Sequence, residues 1–364
     1  MYSLSSERFN WAIVGSSGVA RQFAYGISST PGAGQLATVI ARDPVRTELS
    51  AKAIGTTTWS TEFSDCLGQD VDGVYLAVPL GQHEDLAVAA LNAGKATVVE
   101  KPLAIDGASA RRIDQASKST GAFCMEAMWP RFLPIYQELK QKASAGDLGE
   151  IRQFGACFSG AVHMDPSFGV FDGAQRGGAL MHRACYGVSL ARFLLGPITS
   201  VKTLGRLNET GADAHVALLL SHAAGATSSI TASYETTTSD LVTLAGSRAT
   251  VTLSPSLYRP TSGRLTPTHL NRLDRNIPSQ EARKASVAWN WLRDRTAPLR
   301  ALRRRGSPLR ADLRGFGYGY QAAEVVRCVK AGEATSSIMP LTESIEIAEV
   351  LDDAYTQLQG TGPS

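Results

Sequence analysis

The sequence predicts two domains: an α/β Rossmann domain with a doubly wound parallel sheet, and an α+β domain with an open, mostly antiparallel sheet. Over residues 1–126, apolar strands alternate with helical segments of about 10–15 residues, the pattern of βαβ units. The first strand ends in a turn that contains Gly15, as dinucleotide-binding turns do. Over residues 127–364, several strands follow one another with short polar turns, which favours an antiparallel sheet.

The elements of the first domain follow from apolar runs and helical spacing. The predicted strands cover residues 11–14, 36–40, 73–78, 96–100 and 122–125. The predicted helices cover residues 19–27, 45–54, 83–93 and 108–117. In the third helix Leu86 and Ala90 share one apolar face, and Gly94 ends the segment.

The second domain begins with a predicted helix over residues 133–145 and ends with two more, at 320–330 and 341–358. Between them we predict strands at 151–159, 201–207, 215–221, 228–234, 240–245 and 250–253. Residues 258–314 interrupt this order with several prolines and a run of arginines between 300 and 310. We interpret them as a basic insertion that includes a helix at about 280–292. A solvated surface or an oligomer face is the simplest role of the arginines, and a site for a phosphorylated or carboxylated substrate is the alternative.

Composition excludes several classes of protein. The 364 residues carry a net charge of only +3, which argues against a nucleic-acid partner. The five cysteines are dispersed, odd in number and without a CxxC pair, so we predict no disulfide framework and no metal site. No apolar run reaches the roughly 18 residues of a membrane span, and the N-terminus lacks a signal-peptide pattern. We therefore expect no membrane contact and a cytoplasmic location.

The first turn is the candidate dinucleotide site. Its residues Gly15, Ser16, Ser17, Gly18 and Val19 lead from a strand into a helix, whose N-terminus offers free N–H groups to a pyrophosphate. The usual fingerprint has glycine where this chain has Ser17, and Gly18 is predicted to supply the backbone freedom instead. The alternative is an ordinary strand-to-helix turn without a ligand.

The end of the second strand bears on the choice between NAD and NADP. NAD-binding folds commonly place an acid there for the ribose hydroxyls. This chain has Arg42 followed by Asp43, and a guanidinium matches a 2′-phosphate bidentately. We predict NADP as the preferred cofactor with Arg42 as its ligand, or NAD with Asp43 on the ribose.

Glu100, Lys101 and Pro102 follow the strand predicted at 96–100. Ligands of open α/β sheets bind at the carboxyl ends of the strands. A lysine there can exchange a proton with, or polarise, an oxygen of a bound substrate. We therefore predict Lys101 at the reacting centre of a nicotinamide-dependent oxidoreductase.

Taken together, these motifs resemble the glucose–fructose oxidoreductase / inositol dehydrogenase / MocA (Gfo/Idh/MocA) family, and within it the branch of dimeric dihydrodiol dehydrogenases. The linked Glu100-Lys101-Pro102 and 125–134 (MEAMWPRFLP) motifs are the most specific part of the resemblance. Further matching segments are residues 15–20, 41–43, 72–79, 93–95, 324–328 and 339–344.

The resemblance implies roles for several residues. Lys101 would lie beside the nicotinamide and the substrate hydroxyl, with Glu100 near the cofactor ribose. Trp129 and Arg131 would line the cofactor and substrate cleft, although for Trp129 a buried interdomain position fits equally well. The resemblance also implies pairing of subunits through the open sheet, as a homodimer or homotetramer.

The third strand ends in a loop that departs from the family pattern. Val78, Pro79 and Leu80 stand where the family commonly has threonine at 78 and asparagine at 80. Fewer polar side chains would then reach the cofactor, so backbone contacts at Val78 and Pro79 would contribute more. His83 opens the next helix, either as a cap or as a cofactor contact.

The family's last motif carries an acid and, four residues later, a tyrosine or histidine. Here the positions are His182 and Tyr186, which share one helical face. Tyr186 matches the catalytic tyrosine, whereas His182 replaces the usual aspartate. A histidine can still donate or accept a hydrogen bond, and the more positive site favours an anionic substrate. The alternative is that His182 only packs and that activity is reduced.

We therefore predict an NAD(P)-dependent enzyme that moves hydride between nicotinamide and a carbinol or carbonyl carbon of a sugar, cyclitol or diol. Lys101, Tyr186 and His182 are the predicted catalytic residues. One alternative keeps the fold but cleaves a glycosidic bond by transient oxidation and elimination. Another is a non-catalytic, dinucleotide-binding regulatory protein.

Overall fold

The computed structural model describes residues 8–165, 168–268, 291, 295, 306–310, 313 and 315–360. Its first part is a six-stranded parallel sheet with strand order β3-β2-β1-β4-β5-β6. The strands are β1 Asn10–Val14, β2 Gln35–Ile40, β3 Trp59–Ser60, β4 Gly73–Leu76, β5 Ala96–Glu100 and β6 Cys124–Ala127. The helices are α1 Gly18–Ser29, α2 Pro44–Ile54, α3 His83–Asn92 and α4 Gly107–Thr120. The predicted doubly wound sheet is confirmed.

Strand order fixes where a ligand binds. β2 lies on one side of β1 and β4 on the other, so the winding reverses at β1. The loops after β1 and β4 therefore part at a crevice, the usual ligand position in such sheets. β3 was not predicted, because two residues are too short for any periodicity.

The second part is an eight-stranded sheet with order β14-β13-β12-β11-β7-β10-β9-β8. Its strands are β7 Ile151–Ser159, β8 Ile198–Leu207, β9 Asp213–His222, β10 Thr227–Ser233, β11 Val242–Gly246, β12 Ala249–Ser254, β13 Ser262–Pro267 and β14 Ser307–Arg310. Its helices are α5 Pro134–Ser144, α6 Cys185–Leu195, α7 Tyr318–Lys330 and α8 Leu341–Gly360. All paired strands are antiparallel except β7 and β10, so the predicted sheet type is also confirmed.

One face of this sheet is covered and the other is open. Exposed and buried residues alternate along most of β9 and β10. α6 covers the inner face so closely that a Cβ on Gly187 would lie 2.7 Å from Ile230 Cγ2. α8 packs beside β8, where Gln357 Oε1 accepts a hydrogen bond of 3.0 Å from the Thr203 N–H. The opposite face carries exposed Leu204 and Leu219.

The predicted insertion at 258–314 is more regular than expected. β13 and β14 extend the sheet edge, although glycine and proline in these strands concealed the pattern. The helix predicted at about 280–292 lies outside the described residues except for Trp291, which is exposed. Within the described ranges, no helix has the length and apolar character needed to span a bilayer.

Candidate active site

The turn between β1 and α1 is shaped to admit a ligand. Gly15 has a φ of +124°, and a Cβ there would lie 2.2 Å from the Ala77 carbonyl oxygen, so only glycine fits. Its N–H donates to Ile40 O at 2.7 Å. Ser17 caps α1, since its Oγ accepts from the Ala20 N–H at 3.3 Å. Gly18 is helical and needs no special backbone freedom, contrary to the sequence interpretation.

From this turn, a cleft of about 490 Å³ extends over the end of β2. It is lined by Ser16, Arg42 and Arg46, with Phe63 among its apolar residues. Both arginine residues are exposed, and Asp43 is engaged as the cap of α2, accepting from the Arg46 N–H at 3.0 Å. Sequence reasoning missed Arg46, although it lies one helical turn after Arg42.

A second part of the cleft, about 290 Å³, continues past Ser17 toward the second domain. The two parts share Ser17, Ala77, Val78 and Pro79, so they form one continuous channel. Of the predicted site residues, this second part brings together Ser17, Val19, Val78, Pro79, His83, Glu100, Lys101 and His182. A long channel with a glycine cradle, a helix N-terminus and two arginines at one end fits a dinucleotide.

Lys101 lies where the two domains meet. Its Nζ donates to the backbone oxygen of His182 at 3.1 Å and stands 4.7 Å from the centre of the Tyr186 ring. The Lys101–Pro102 peptide is cis. One ammonium proton is thus anchored on the second domain, and the others are left for a ligand in the cleft.

Glu100 is buried next to this lysine. Its carboxylate accepts hydrogen bonds from the Tyr75 hydroxyl and, at 3.2 Å, from the Lys101 N–H. Burial raises the pKa of Glu100, while the nearby Lys101 charge opposes the rise. Glu100 therefore fixes the backbone from which the Lys101 side chain projects.

His83 joins two loops of the Rossmann sheet. Its Nδ1 lies 3.0 Å from Pro102 O, and its Nε2 lies 3.1 Å from Val78 O. Burial lowers the pKa of His83, so the ring is neutral and donates to one of these oxygens only. The ring joins the β4 and β5 loops and also lines the second part of the channel, so the cofactor contact at His83 stays a prediction.

His182 belongs to a π-helical turn, Leu180–Ala184, that leads into α6. Burial, reinforced by the charge of Lys101, lowers the pKa of His182 to about 3. The imidazole is therefore neutral near pH 7 and can donate one hydrogen bond and accept another. Its neighbour Arg183 serves the fold: its guanidinium donates to Gly160 O at 2.8 Å and lies 3.7 Å from the Tyr234 ring centre.

The neutral state of His182 makes stability depend on pH. The unfolded chain binds a proton below the ordinary histidine pKa of about 6.5, whereas the folded chain does so only near 3. Stability contributed by this group is present above about pH 6.5 and is lost as the pH falls toward 3. We expect His182→Gln to flatten the loss of unfolding free energy between pH 7 and 4.5, by at most about 1.4 kcal/mol per pH unit. Urea denaturation at several pH values measures this slope.

The matched control is His163→Gln, because His163 is exposed. That variant should lose stability with acid as steeply as the parent protein. An unchanged slope in His182→Gln would mean that His182 is not held neutral by its surroundings.

Four predicted residues lie outside the channel lining: Gly18, Tyr186, Trp129 and Arg131. Tyr186 is buried, with its ring 5.8 Å from Phe158, and presents its ring rather than its hydroxyl to Lys101 Nζ. Burial raises the pKa of Tyr186 well above its usual range, so the hydroxyl stays protonated. Trp129 is buried and stacks on Tyr318, with ring centres 4.8 Å apart, which matches the interdomain alternative.

The structure does not bring Arg131 into the cleft. The side chain is fully buried, and its pKa is lowered by that burial. It donates to Glu343 Oε2 at 2.6 Å and to Ser189 O at 2.7 Å. Arg131 therefore joins the end of the Rossmann sheet to α6 and α8.

Two buried carboxylates that were not predicted hold backbone segments of the site through hydrogen bonds. Glu126 accepts from the Leu103 N–H at 3.2 Å and so holds the loop after Lys101; burial raises its pKa to about 7. Asp213 accepts from the Leu180 N–H at 2.7 Å and caps the turn that carries His182; burial raises its pKa to about 6. Glu126 was detectable as an acid ending a buried strand, whereas nothing local marks Asp213.

Fold and channel define a dinucleotide-binding oxidoreductase, and comparison with known proteins agrees. Residues 9–128 match the model described as "Oxidoreductase family, NAD-binding Rossmann fold", and residues 136–252 match the "GFO/IDH/MocA C-terminal domain". The chain belongs to the GFO/IDH/MocA family of oxidoreductases. The resemblance stated from sequence motifs, the NAD(P) cofactor class and the dehydrogenase/reductase class are confirmed.

Individual relatives are distant but cover the chain. Trans-1,2-dihydrobenzene-1,2-diol dehydrogenase from Mus musculus is 27% identical over 358 residues, covering 97% of this chain and 98% of that protein. Among solved structures, levoglucosan dehydrogenase in complex with NADH and levoglucosan has a TM-score of 0.79 at 17% identity, covering 97% of both chains. Aldose-aldose oxidoreductase from Caulobacter crescentus has a TM-score of 0.77 at 18% identity, covering 97% of this chain and 98% of that chain. At such identities the two structures show the shared fold.

Proposed function

We propose that this protein is an NADP-preferring dehydrogenase or reductase acting on a carbinol or carbonyl group of a sugar, cyclitol or diol. One observation carries the proposal: a single channel runs from Arg42, past Ser17, to Lys101 and His182. The names of the relatives, which include a dihydrobenzenediol dehydrogenase and a levoglucosan dehydrogenase, support this substrate class.

In this proposal Lys101 is the residue that exchanges a proton with the substrate oxygen. Its Nζ has one fixed acceptor, His182 O, and projects into the channel lining. When bound, the nicotinamide ring supplies the redox chemistry by exchanging hydride with the substrate carbon. The protein's part is to hold the oxygen beside the ammonium group and to move its proton.

His182 and Tyr186 have different parts. The neutral His182 ring lines the channel and orients the substrate by hydrogen bonding, in place of the family's aspartate. The Tyr186 ring holds the Lys101 ammonium through a cation–π contact at 4.7 Å. Tyr186 is thus a positioning residue in this proposal, whereas Lys101 and His182 are catalytic.

Fluorescence titration with NADPH and NADH, followed by a panel of polyols, diols and ketoses, tests the proposal. The dehydrogenase reading requires a net change in absorbance at 340 nm with at least one substrate. The elimination mechanism gives cleaved glycoside without that net change. Tight cofactor binding without any turnover would favour a regulatory protein.

The cofactor preference rests on two arginines. Arg42 and Arg46 line the same end of the channel, and the Asp43 carboxylate is already engaged as a helix cap. We expect the double variant Arg42→Ala/Arg46→Ala to weaken NADPH binding by about tenfold or more, since each charged hydrogen bond contributes about 1.5–3 kcal/mol. NADH binding should change little, and the ratio of the two dissociation constants measures the effect.

Arg111→Ala is the control for this variant, because Arg111 is an exposed arginine on α4 that pairs with Glu349. Equal losses of NADPH and NADH affinity in the double variant would show that the two arginines do not bind the 2′-phosphate.

We further propose that two subunits pair through the open face of the second sheet, as a homodimer or through a tetramer. Exposed Leu204 and Leu219 lie on neighbouring strands, with Leu204 opposite Ala217 and Leu219 opposite Lys202, and this partly apolar face is suited to packing against a second copy. Light scattering of the purified protein tests this, since a monomer at micromolar concentration would contradict it.

All five cysteines are unpaired, which supports a reducing, cytoplasmic location.

A further inference from the structure

A second cavity, about 220 Å³, lies beside Trp129 at the junction of the two domains. Aromatic rings form most of its wall, and three polar side chains complete it. The lining residues are Gln22, Trp129, Ser256, Tyr258, Arg259, Phe316 and Tyr318. No acidic residue is among them, and within the described part of the chain the Arg259 guanidinium is the charged group of this lining.

One buried N–H group at this cavity, the Nε of Arg259, lacks an acceptor among the described residues. Arg259 is otherwise held in place: one terminal nitrogen donates to Gly315 O at 2.7 Å, and the guanidinium lies 5.1 Å from the Phe316 ring centre. Buried donors without acceptors are costly, and an acceptor-rich ligand would remove that cost.

The cavity adjoins the reacting end of the channel. Val19 lines the channel and Gln22 lines the cavity, and these residues lie three apart on the same face of α1. The ring centre of Tyr258, which also lines the cavity, is 6.3 Å from the ring centre of Tyr186. Lys101 Nζ in turn lies 4.7 Å from the centre of the Tyr186 ring. The Tyr258 ring therefore connects the wall of the cavity with the Tyr186 ring that faces Lys101.

Building on the proposed function, we propose that this cavity binds the carboxylate of a sugar acid, with Arg259 as its principal ligand. A guanidinium pairs with a carboxylate through two parallel hydrogen bonds, and the aromatic walls pack against the carbon skeleton. The single positive charge matches the single negative charge of a carboxylate. A phosphate dianion would leave a second charge unpaired between aromatic rings.

The test is calorimetry on the NADPH-loaded protein with matched pairs: glucuronate against glucose, and galacturonate against galactose. Glucose 6-phosphate serves as the alternative anion. We expect the acids to bind at least about tenfold more tightly than their neutral partners. Arg259→Gln should bring the ratio of dissociation constants close to one, and Arg259→Lys should restore part of it. Arg248→Gln, at an exposed arginine, should leave the ratio unchanged.

Three results would overturn the inference: neutral sugars binding as tightly as the acids, Arg259→Gln keeping the preference, or glucose 6-phosphate binding more tightly than glucuronate. Absence of binding by both acids would overturn it as well. The thermal unfolding midpoint of each variant shows whether it is folded. NADPH titration reports on the proposed function separately, because Arg259 is not in the lining of the channel, and turnover of neutral polyols at 340 nm does not require a bound carboxylate.

Discussion

Lys101→Ala should lose about 10²- to 10⁴-fold in turnover, the usual contribution of a single general acid or base. The Lys101 ammonium is a charged donor in the channel lining, and alanine removes the proton that would pass to or from the substrate oxygen. NADPH affinity should be largely retained, because Gly15, Ser17 and Arg42 lie elsewhere in the channel. Steady-state absorbance at 340 nm gives turnover, and fluorescence titration gives the dissociation constant of NADPH.

Lys118→Ala is the matched control, since this lysine is exposed on α4 and pairs with Asp114 at 2.6 Å. Its turnover should equal that of the parent protein. Should Lys101→Ala turn over at the parental rate, Lys101 would not be the proton-exchanging group. Should the variant lose NADPH binding instead, its charge would act on the cofactor.

The half of the site that lies on the Rossmann domain was accessible from the sequence. Gly15, Arg42 and Lys101 follow strands whose order is fixed by βαβ handedness, so naming their strands places them at one sheet edge. His83 was located but not understood, because its two carbonyl partners come from different loops. Such a contact is not encoded by any local spacing.

The half on the second domain was harder to predict. The family resemblance implied that His182 and Tyr186 lie near Lys101, but nothing in the sequence indicated the π-helical turn whose His182 backbone oxygen accepts from Nζ. The aromatic cavity by Trp129 joins α1 to residues near 256, 316 and 318, and these segments meet only after both domains fold. Packing over such sequence separations leaves no periodic signal.

Arg131 shows where a motif misleads about position. Glu126 in the same 125–134 segment fixes the loop after Lys101. The guanidinium of Arg131, in contrast, points into the core toward Glu343. Its nitrogens donate to Ser189 Oγ at 2.8 Å, to Ser189 O and to Ile338 O at 3.2 Å. A motif signal cannot distinguish a ligand contact from a structural one, since both constrain a side chain.

Arg131→Ala should therefore destabilise the protein by about 3–5 kcal/mol, the usual cost of breaking a buried ion pair. Glu343 would lose its fully buried partner, and the carbonyl oxygens of Ser189 and Ile338 would lose their donor. At 20 °C the variant that remains folded should bind NADPH normally, because Arg131 is not in the channel lining. Urea denaturation followed by tryptophan fluorescence measures the free energy of unfolding.

Arg111→Ala offers the contrast, because its partner Glu349 lies on the same helix as Glu343 but the pair is exposed. Removal of an exposed pair costs about 0–1 kcal/mol. The comparison separates burial from charge, since both variants delete one arginine that is paired with a glutamate of α8. If Arg131→Ala kept its unfolding free energy but bound NADPH at least tenfold more weakly, Arg131 would act on the cofactor and its buried placement would be wrong.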